Sequence, residues 1–372
     1  MRPNLRVAGL STQYDSHESG LGGGNETVEF ISLLGGAAAA WPLVICNKYQ
    51  VRNSMNRTLD RRRLMKTAGA MVLATAAGTL RGAPAFAQQV PWSSGTEAPK
   101  LKAPANACDC HMHIYDAKYP VAANATLKPA DALVTDYKLL QKRIGTSRNV
   151  IVTPSTYGTD NRVTLDAMAQ IGPTARGVAV VDTTVTDAEL KRMNDLGVRG
   201  IRFNLVQAGA TTTEMIEPLS KRVNDFGWHI QIHMKGEQIA AIEELLLRVP
   251  SPIIFDHLGR LGQPNPVENP GFKTISKLID KGRTWVKLSG AYQDSKVGPP
   301  SYSDTVPIAR AYIKGALERM VWASDWPHPT EKNKPDDAVL FDLLTAWAPD
   351  ETTRTRILVQ NPATLYGFPT SE

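Results

Sequence analysis

The sequence predicts an α/β protein whose body is a single (β/α)8 barrel of the TIM type, and three observations carry that reading. From residue 108 onward, short β-branched or apolar runs recur at roughly 20- to 40-residue intervals, eight in all. Charged stretches with helical spacing separate them. No Gly-rich phosphate loop follows the first run, which counts against the runner-up, a doubly wound open sheet. Eight alternating β and α units across residues 106–370 suit a closed parallel barrel with one core.

The elements follow in order. The first strand is read over Cys108 to Ile114, where alternation puts Asp109, His111 and His113 on one face and Cys108, Cys110 and Met112 on the other. The apolar set is expected against the helices, with the histidines inward. Further strands are read at Asn149 to Thr153, Gly177 to Val181, Gly200 to Phe203, His229 to His233, Pro252 to His257, Trp285 to Ser289 and Met320 to Asp325. Between the third and fourth, "TDAELKRMNDLG" has helix spacing and opens on Thr186, a suitable N-cap; "EQIAAIEELLLRV" is the helix between the fifth and sixth.

In such a barrel chemistry belongs where the strands end, at the C-terminal mouth. All six histidines of the body sit in or just beyond a strand: His111 and His113 in the first, His229 and His233 in the fifth, His257 ending the sixth and His328 after the eighth. His111, His113, His233 and Asp325 are expected to converge there. Two chemistries suit them. They can bind a divalent metal such as Zn²⁺ that activates water. Alternatively no metal is required: the imidazoles polarise a substrate carbonyl while Asp325 takes a proton from water. The fourth strand leans toward the second, because it offers Arg202 and Asn204 where a bridging Lys or Glu would hold a second metal. A cation there repels metal and attracts carboxylate.

Other residues are candidate substrate contacts. Arg202 and Arg260 end or follow strands and suit a carboxylate. Lys287 points inward with Ser289, adding charge or pairing with Asp256. Tyr157 and Asn161 lie on the second βα loop, either bonding substrate or shaping a turn. His257 orients its neighbours, and His328 lines the pocket or shapes a Pro-rich loop.

Composition narrows the partners. The net charge of +6 is uneven: residues 1–87 hold ten Lys+Arg against five Asp+Glu, leaving 32 against 31 in the rest. A nearly neutral body gives no support to a nucleic-acid partner. Residues 55–87 read as a signal peptide, with Arg61, Arg62 and Arg63, an apolar run and "AFA" before Gln88. The order Asp60-Arg61-Arg62-Arg63-Leu64-Met65-Lys66 is similar to the bacterial twin-arginine motif, implying export to the periplasm by the twin-arginine machinery. Residues 1–54 read as a start-site artefact or an extra leader, with an N-terminal anchor as the alternative. Residues 88–105, rich in Pro, Ser and Lys, read as a linker.

The stretches "CDCHMHIYD", "PSTYGTDN", "GVRGIRFN", "IQIHM", "FDHLGR", "WVKLSGAY", "ASDWPHP" and "NPATLYGF" occur in that order. Together they resemble the amidohydrolase superfamily, in particular its amidohydrolase-related branch with 2-pyrone-4,6-dicarboxylate lactonase, sugar lactonases and D-galactarolactone isomerase. The resemblance implies a hydrolase that opens a lactone, a carboxylated pyrone or sugar lactone, without an essential metal. The alternatives are a metal-dependent hydrolase or decarboxylase, a lactone isomerase, and a non-catalytic periplasmic binding protein. A binding protein has no need of a base such as Asp325. Oligomeric state is not legible.

Overall fold

The computed structural model describes residues 89–206 and 209–369; the leader segments expected at 1–54 and 55–87 lie outside the described residues. All eight expected strands form: β1 Cys108–Met112, β2 Arg148–Val152, β3 Ala175–Ala179, β4 Val198–Asn204, β5 His229–His233, β6 Ile253–Phe255, β7 Thr284–Leu288 and β8 Met320–Trp322. They pair in parallel in chain order from β1 to β8, the pattern of a (β/α)8 barrel. The helices are α1 Val134–Ile144, α2 Arg162–Ile171, α3 Asp187–Asp195, α4 Ile216–Asn224, α5 Gly236–Ala241, α6 Glu243–Arg248, α7 Pro270–Asp280, α8 Ala291–Asp294, α9 Val306–Ala316, α10 Asp337–Trp347, α11 Glu351–Thr355 and α12 Asn361–Tyr366. Thr186 caps α3 by accepting from the Glu189 N–H at 3.1 Å. The expected helix after β5 breaks at Ile242 into α5 and α6.

Two apolar cores result from strand alternation. Outward residues such as Ile151, Ile201, Ile230, Phe255 and Trp322 join helix residues such as Tyr137, Leu190 and Leu344. Inward residues Val150, Val152, Val178, Ile254, Trp285 and Val321 form a second cluster, joined by Tyr366 and Phe368 from the C-terminal arm. Cys108 and Cys110 belong to that inner cluster, which corrects the expectation that they face the helices. The cause is a β-bulge: Asp109 pairs with Asn149 but Met112 with Ile151, so β1 spends three residues where β2 spends two. Cys110 and His111 therefore both point inward. Asp109 points outward instead, where its carboxylate accepts from Tyr137 Oη of α1 at 3.0 Å. The same carboxylate accepts from the Ser324 N–H at 2.9 Å and Oγ at 2.6 Å. Together with the backbone bonds Asp325 N–H to His111 O, 2.9 Å, and His113 N–H to Trp326 O, 2.8 Å, it joins the first and last strands at the mouth.

The segment read as a linker is tied to the barrel. Val90 and Ser93 are buried. Pro91 O accepts from Trp326 Nε1 at 2.8 Å, Ser93 Oγ from the Asp337 N–H at 3.2 Å, and Asp342 from the backbone of Lys100 and Leu101 at 3.0 and 2.8 Å. These bonds brace α10 and the β8–α10 connection, which carries Asp325 and His328.

Candidate active site

At the mouth, inward positions of β1, β4, β5 and β7 and the residues just beyond β6 and β8 bring polar groups together. Asp325 Oδ1 faces three imidazole nitrogens: His111 Nε2 at 3.6 Å and the Nε2 atoms of His113 and His257 at 3.7 Å. Those separations exceed a direct hydrogen bond and suit an oxygen atom lodged among the four groups. The other oxygen, Oδ2, is taken: Tyr292 Oη donates to it at 2.5 Å and Gln293 Nε2 at 2.9 Å. Burial pushes the Asp325 carboxyl above its ordinary pKa, although the Tyr292 bond pulls the other way. The backbone here is left-handed at non-glycine residues: φ is +65° at Asp325 and +53° at His328, and +51°, +55° and +50° at His257, Leu258 and Arg260. Such conformations cost about 1–3 kcal/mol each and gather where function demands them.

Hydrogen-bond partners settle which nitrogen of His113 carries its proton. His113 Nδ1 meets Val152 O at 2.7 Å, and a carbonyl only accepts, so Nδ1 holds the proton. Burial, with the Arg202 charge adding to it, lowers the His113 pKa to about 3, so the ring is neutral and its Nε2 is a lone pair. His111 has two tautomers open to it: Nε2, 3.2 Å from that lone pair, can donate to it, or Nδ1 can donate to Asp256 Oδ1, also at 3.2 Å. In the first tautomer Nδ1 accepts from the Lys287 ammonium at 3.2 Å, which also reaches Asp256 Oδ1 at 3.4 Å. The pair thus offers at most one N–H toward the mouth, from His111 in the first tautomer.

Asp256 organises the layer beneath. Its Oδ1 lies 3.2 Å from His111 Nδ1, and its Oδ2 accepts from Arg202 Nε and Gln231 Nε2, each at 3.1 Å. Burial pushes this carboxyl up, but His111, Lys287 and Arg202 outweigh it and hold the group well below the usual range. His233 sits between two guanidiniums, with Nδ1 3.1 Å from Arg202 and Nε2 3.1 Å from Arg260. A neutral imidazole has one lone pair, so only one of these contacts is a hydrogen bond. Burial and the Arg202 charge keep the His233 pKa well below its ordinary value. Arg260 is braced by Asp294 at 2.7 and 3.2 Å. Both arginines keep N–H groups for a ligand.

These groups line a pocket of about 270 Å³. Of the expected residues His113, Arg202, His233, His257, Arg260 and Asp325 border it, with His111 directly beneath. The expectation that Tyr157, Asn161, Lys287 and His328 touch substrate meets different placements. Tyr157 Oη accepts from the Asp116 N–H at 2.9 Å. Asn161 ties β2 to β3, its Oδ1 accepting from Thr153 Oγ1 and the Val180 N–H, both at 2.8 Å. Lys287 is fully buried on Asp256 and Gln231. His328 is fully buried against Tyr292 and Asp337. Asp256, Tyr292, Gln293 and Asp294 were not singled out as site residues; their position just beyond β6 and β7 was the available signal.

A family profile described as amidohydrolase matches residues 108–368, the barrel and its C-terminal arm. The chain belongs to the amidohydrolase family. This amidohydrolase is 32% identical over 288 residues to a 2-pyrone-4,6-dicarboxylate hydrolase of Comamonas testosteroni, covering 74% of this chain and 94% of the relative. It is 35% identical over 272 residues to a 4-sulfomuconolactone hydrolase of Rhizobium radiobacter, with 71% and 91% covered. An apo crystal structure of an Agrobacterium tumefaciens protein superposes with a TM-score of 0.70 at 30% identity, covering 75% of this chain and 99% of that one.

Among the described residues of this amidohydrolase, two groups have ligand atoms close enough to share a metal: His111, Asp256 and His257, and His111, His113 and Asp325. The first fits poorly, because Lys287 and Arg202 already neutralise Asp256. The second fits when His111 carries its proton on Nδ1, toward Asp256, which leaves lone pairs on His111 Nε2 and His113 Nε2 beside Asp325 Oδ1. His233 is in neither group, both its nitrogens being turned to arginines.

Proposed function

We propose that this amidohydrolase opens an acidic lactone by attack of water, with Asp325 as general base. The observation that carries the reading is Asp325 itself: one oxygen is saturated by Tyr292 and Gln293, and the other is aimed at three imidazoles beside two guanidiniums. Water between Oδ1 and the imidazoles gives its proton to Asp325 as its oxygen bonds to the lactone carbonyl carbon. The developing oxyanion meets the His111 Nε2–H, shared with the His113 lone pair, and the Nε2–H of His257, whose Nδ1 accepts from the Ser289 hydroxyl at 3.0 Å. Collapse breaks the ring C–O bond, and the departing oxygen takes the proton from Asp325. A carboxyl raised by burial suits a group that must hold a proton between these steps. Arg202 and Arg260 bind the substrate carboxylate, with His233 spacing them. Names of the relatives, a pyrone dicarboxylate hydrolase and a sulfomuconolactone hydrolase, support an anionic lactone.

Where a divalent ion such as Zn²⁺ is bound, His111, His113 and Asp325 would hold it, and it would supply Lewis-acid activation of water. The deciding experiment assays exhaustively chelated protein on aldonolactones, aldarolactones and pyrone dicarboxylates. Turnover of an acidic lactone is expected. Loss on chelation with recovery on Zn²⁺ overturns the metal-free route, and no turnover of any lactone returns the protein to the binding-protein reading.

We also propose export to the periplasm, motivated by Arg61, Arg62 and the "AFA" stretch before Gln88. Replacing both arginines by lysine is expected to trap precursor in the cytoplasm; an unchanged exported fraction refutes the assignment.

A further inference from the structure

The catalytic reading uses one oxygen of Asp325 and leaves unexplained why four residues are spent on the other. Behind Oδ2 stands a buried chain. Tyr292 Oη donates to it at 2.5 Å; the same hydroxyl lies 3.1 Å from His328 Nδ1, and the two rings meet edge to face with centroids 5.1 Å apart. His328 Nε2 faces both carboxylate oxygens of Asp337 at 3.2 Å. Asp337 is fully buried at the start of α10, where its N–H is held by Ser93. Neither His328 nor Asp337 borders the pocket, and neither touches the reacting atoms.

The turn that carries Tyr292 is also specified. Gly290 adopts φ +65°, and a Cβ there would lie 2.8 Å from His257 Cβ, so the chain can turn this tightly against His257 only with glycine. Within the next four residues, Tyr292 and Gln293 bind the base and Asp294 binds Arg260. One short turn therefore sets the base and the carboxylate arm at a fixed separation.

We infer that Tyr292 and Gln293 are positioning residues for Asp325, held by His328 and Asp337, and that they direct Oδ1 alone toward the attacking water. The inference rests on Asp325 being the base. A carboxylate free to rotate would present either oxygen at changing angles, and misplacement of this kind lowers the chemical step without weakening binding.

The test measures kcat and KM separately on the best lactone, beside a thermal melt, for Tyr292→Phe, Asp337→Asn and Asp325→Asn. Tyr292→Phe keeps the ring on His328 and removes only the donor; kcat should fall on the order of 10- to 100-fold with KM unchanged. Asp337→Asn should show the same split, more weakly, and it reads the effect from a residue remote from substrate if the Tyr292 variant melts early. Parallel loss of kcat and rise of KM in both variants would mean a structural role and overturn the inference. So would full kcat in both while Asp325→Asn is dead. Full activity of Asp325→Asn would instead overturn the base assignment on which the inference stands.

Discussion

The two ends of this barrel use the same side-chain types for opposite purposes. At the floor, Cys108, Val150, Val178, Ile254, Trp285 and Val321 close against Tyr366 and Phe368 of the C-terminal arm. Arginines there are consumed by the chain's own backbone: Arg148 donates to Pro369 O at 2.6 Å, and Arg176 to Tyr366 O and Gly367 O at 3.1 and 2.9 Å. Both guanidiniums lie over the Phe368 ring, 5.3 and 4.5 Å from its centroid. At the mouth, Arg202 and Arg260 are braced by carboxylates but keep donors facing the pocket. The difference teaches that an arginine near a barrel end signals binding only when its N–H groups outnumber the partners that the fold supplies.

The sharpest break of the comparison sets one residue from each end side by side. Asp325→Asn keeps the shape of the side chain and removes the proposed base, so kcat should drop by about 10²- to 10⁴-fold while the melting temperature stays close to that of the parent. Phe368→Ala should do the reverse. Removing a buried ring beneath two guanidiniums should cost about 3 kcal/mol of unfolding free energy, with kcat and KM unchanged in protein that is still folded. Urea unfolding and steady-state kinetics on both variants check this. A floor variant that loses kcat without unfolding would show that the ends are coupled.

Arg260 sharpens the same contrast at a smaller scale. Arg260→Gln should reduce kcat/KM on acidic lactones roughly 10- to 100-fold, the worth of one charge-assisted contact, and much less on neutral ones. Equal losses on both kinds of substrate would make Arg260 a brace for His233 and Asp294 rather than a carboxylate ligand.

The barrel was legible because its eight strands are short apolar runs with helical segments between them, signals that depend only on local sequence. The convergence of His111, His113 and Asp325 followed from strand-end placement. Two things were not legible. The bulge in β1 breaks the two-residue period at Cys110, and nothing in "CDCHMH" marks it, because a bulge answers to the neighbouring strand. Pairings across the barrel were equally hidden: His111 and Asp256 are 145 positions apart, and their meeting depends on register and stagger. For that reason Asn161 and His328 looked like substrate contacts, whereas their partners commit them to the frame.

The smallest expected effect concerns a histidine on the floor side. His229 points inward from β5 with its ring edge-to-face on Tyr366, 5.4 Å between centroids, and it fills the space where a Cβ on Gly200 would come within 2.4 Å of its Nε2. Burial, with the Lys287 charge adding to it, lowers its pKa to about 3. In the unfolded chain the same ring titrates near its ordinary value of about 6.5. Between those two values the unfolded state holds a proton that the folded state refuses, so this contribution to stability is complete above about pH 6.5 and is lost as pH falls. One such group gives the unfolding free energy a slope of at most about 1.4 kcal/mol per pH unit in that window. His229→Leu should make the slope shallower by up to that amount between about pH 6 and 4 and leave kcat intact, because the ring lies below the catalytic layer. His113, lowered to about 3 at the mouth, should change the slope in the same sense but lose turnover as well. Urea denaturation at several pH values reads both. Coincident slopes for the parent and His229→Leu would mean that His229 takes up its proton in the folded state as readily as in the unfolded chain.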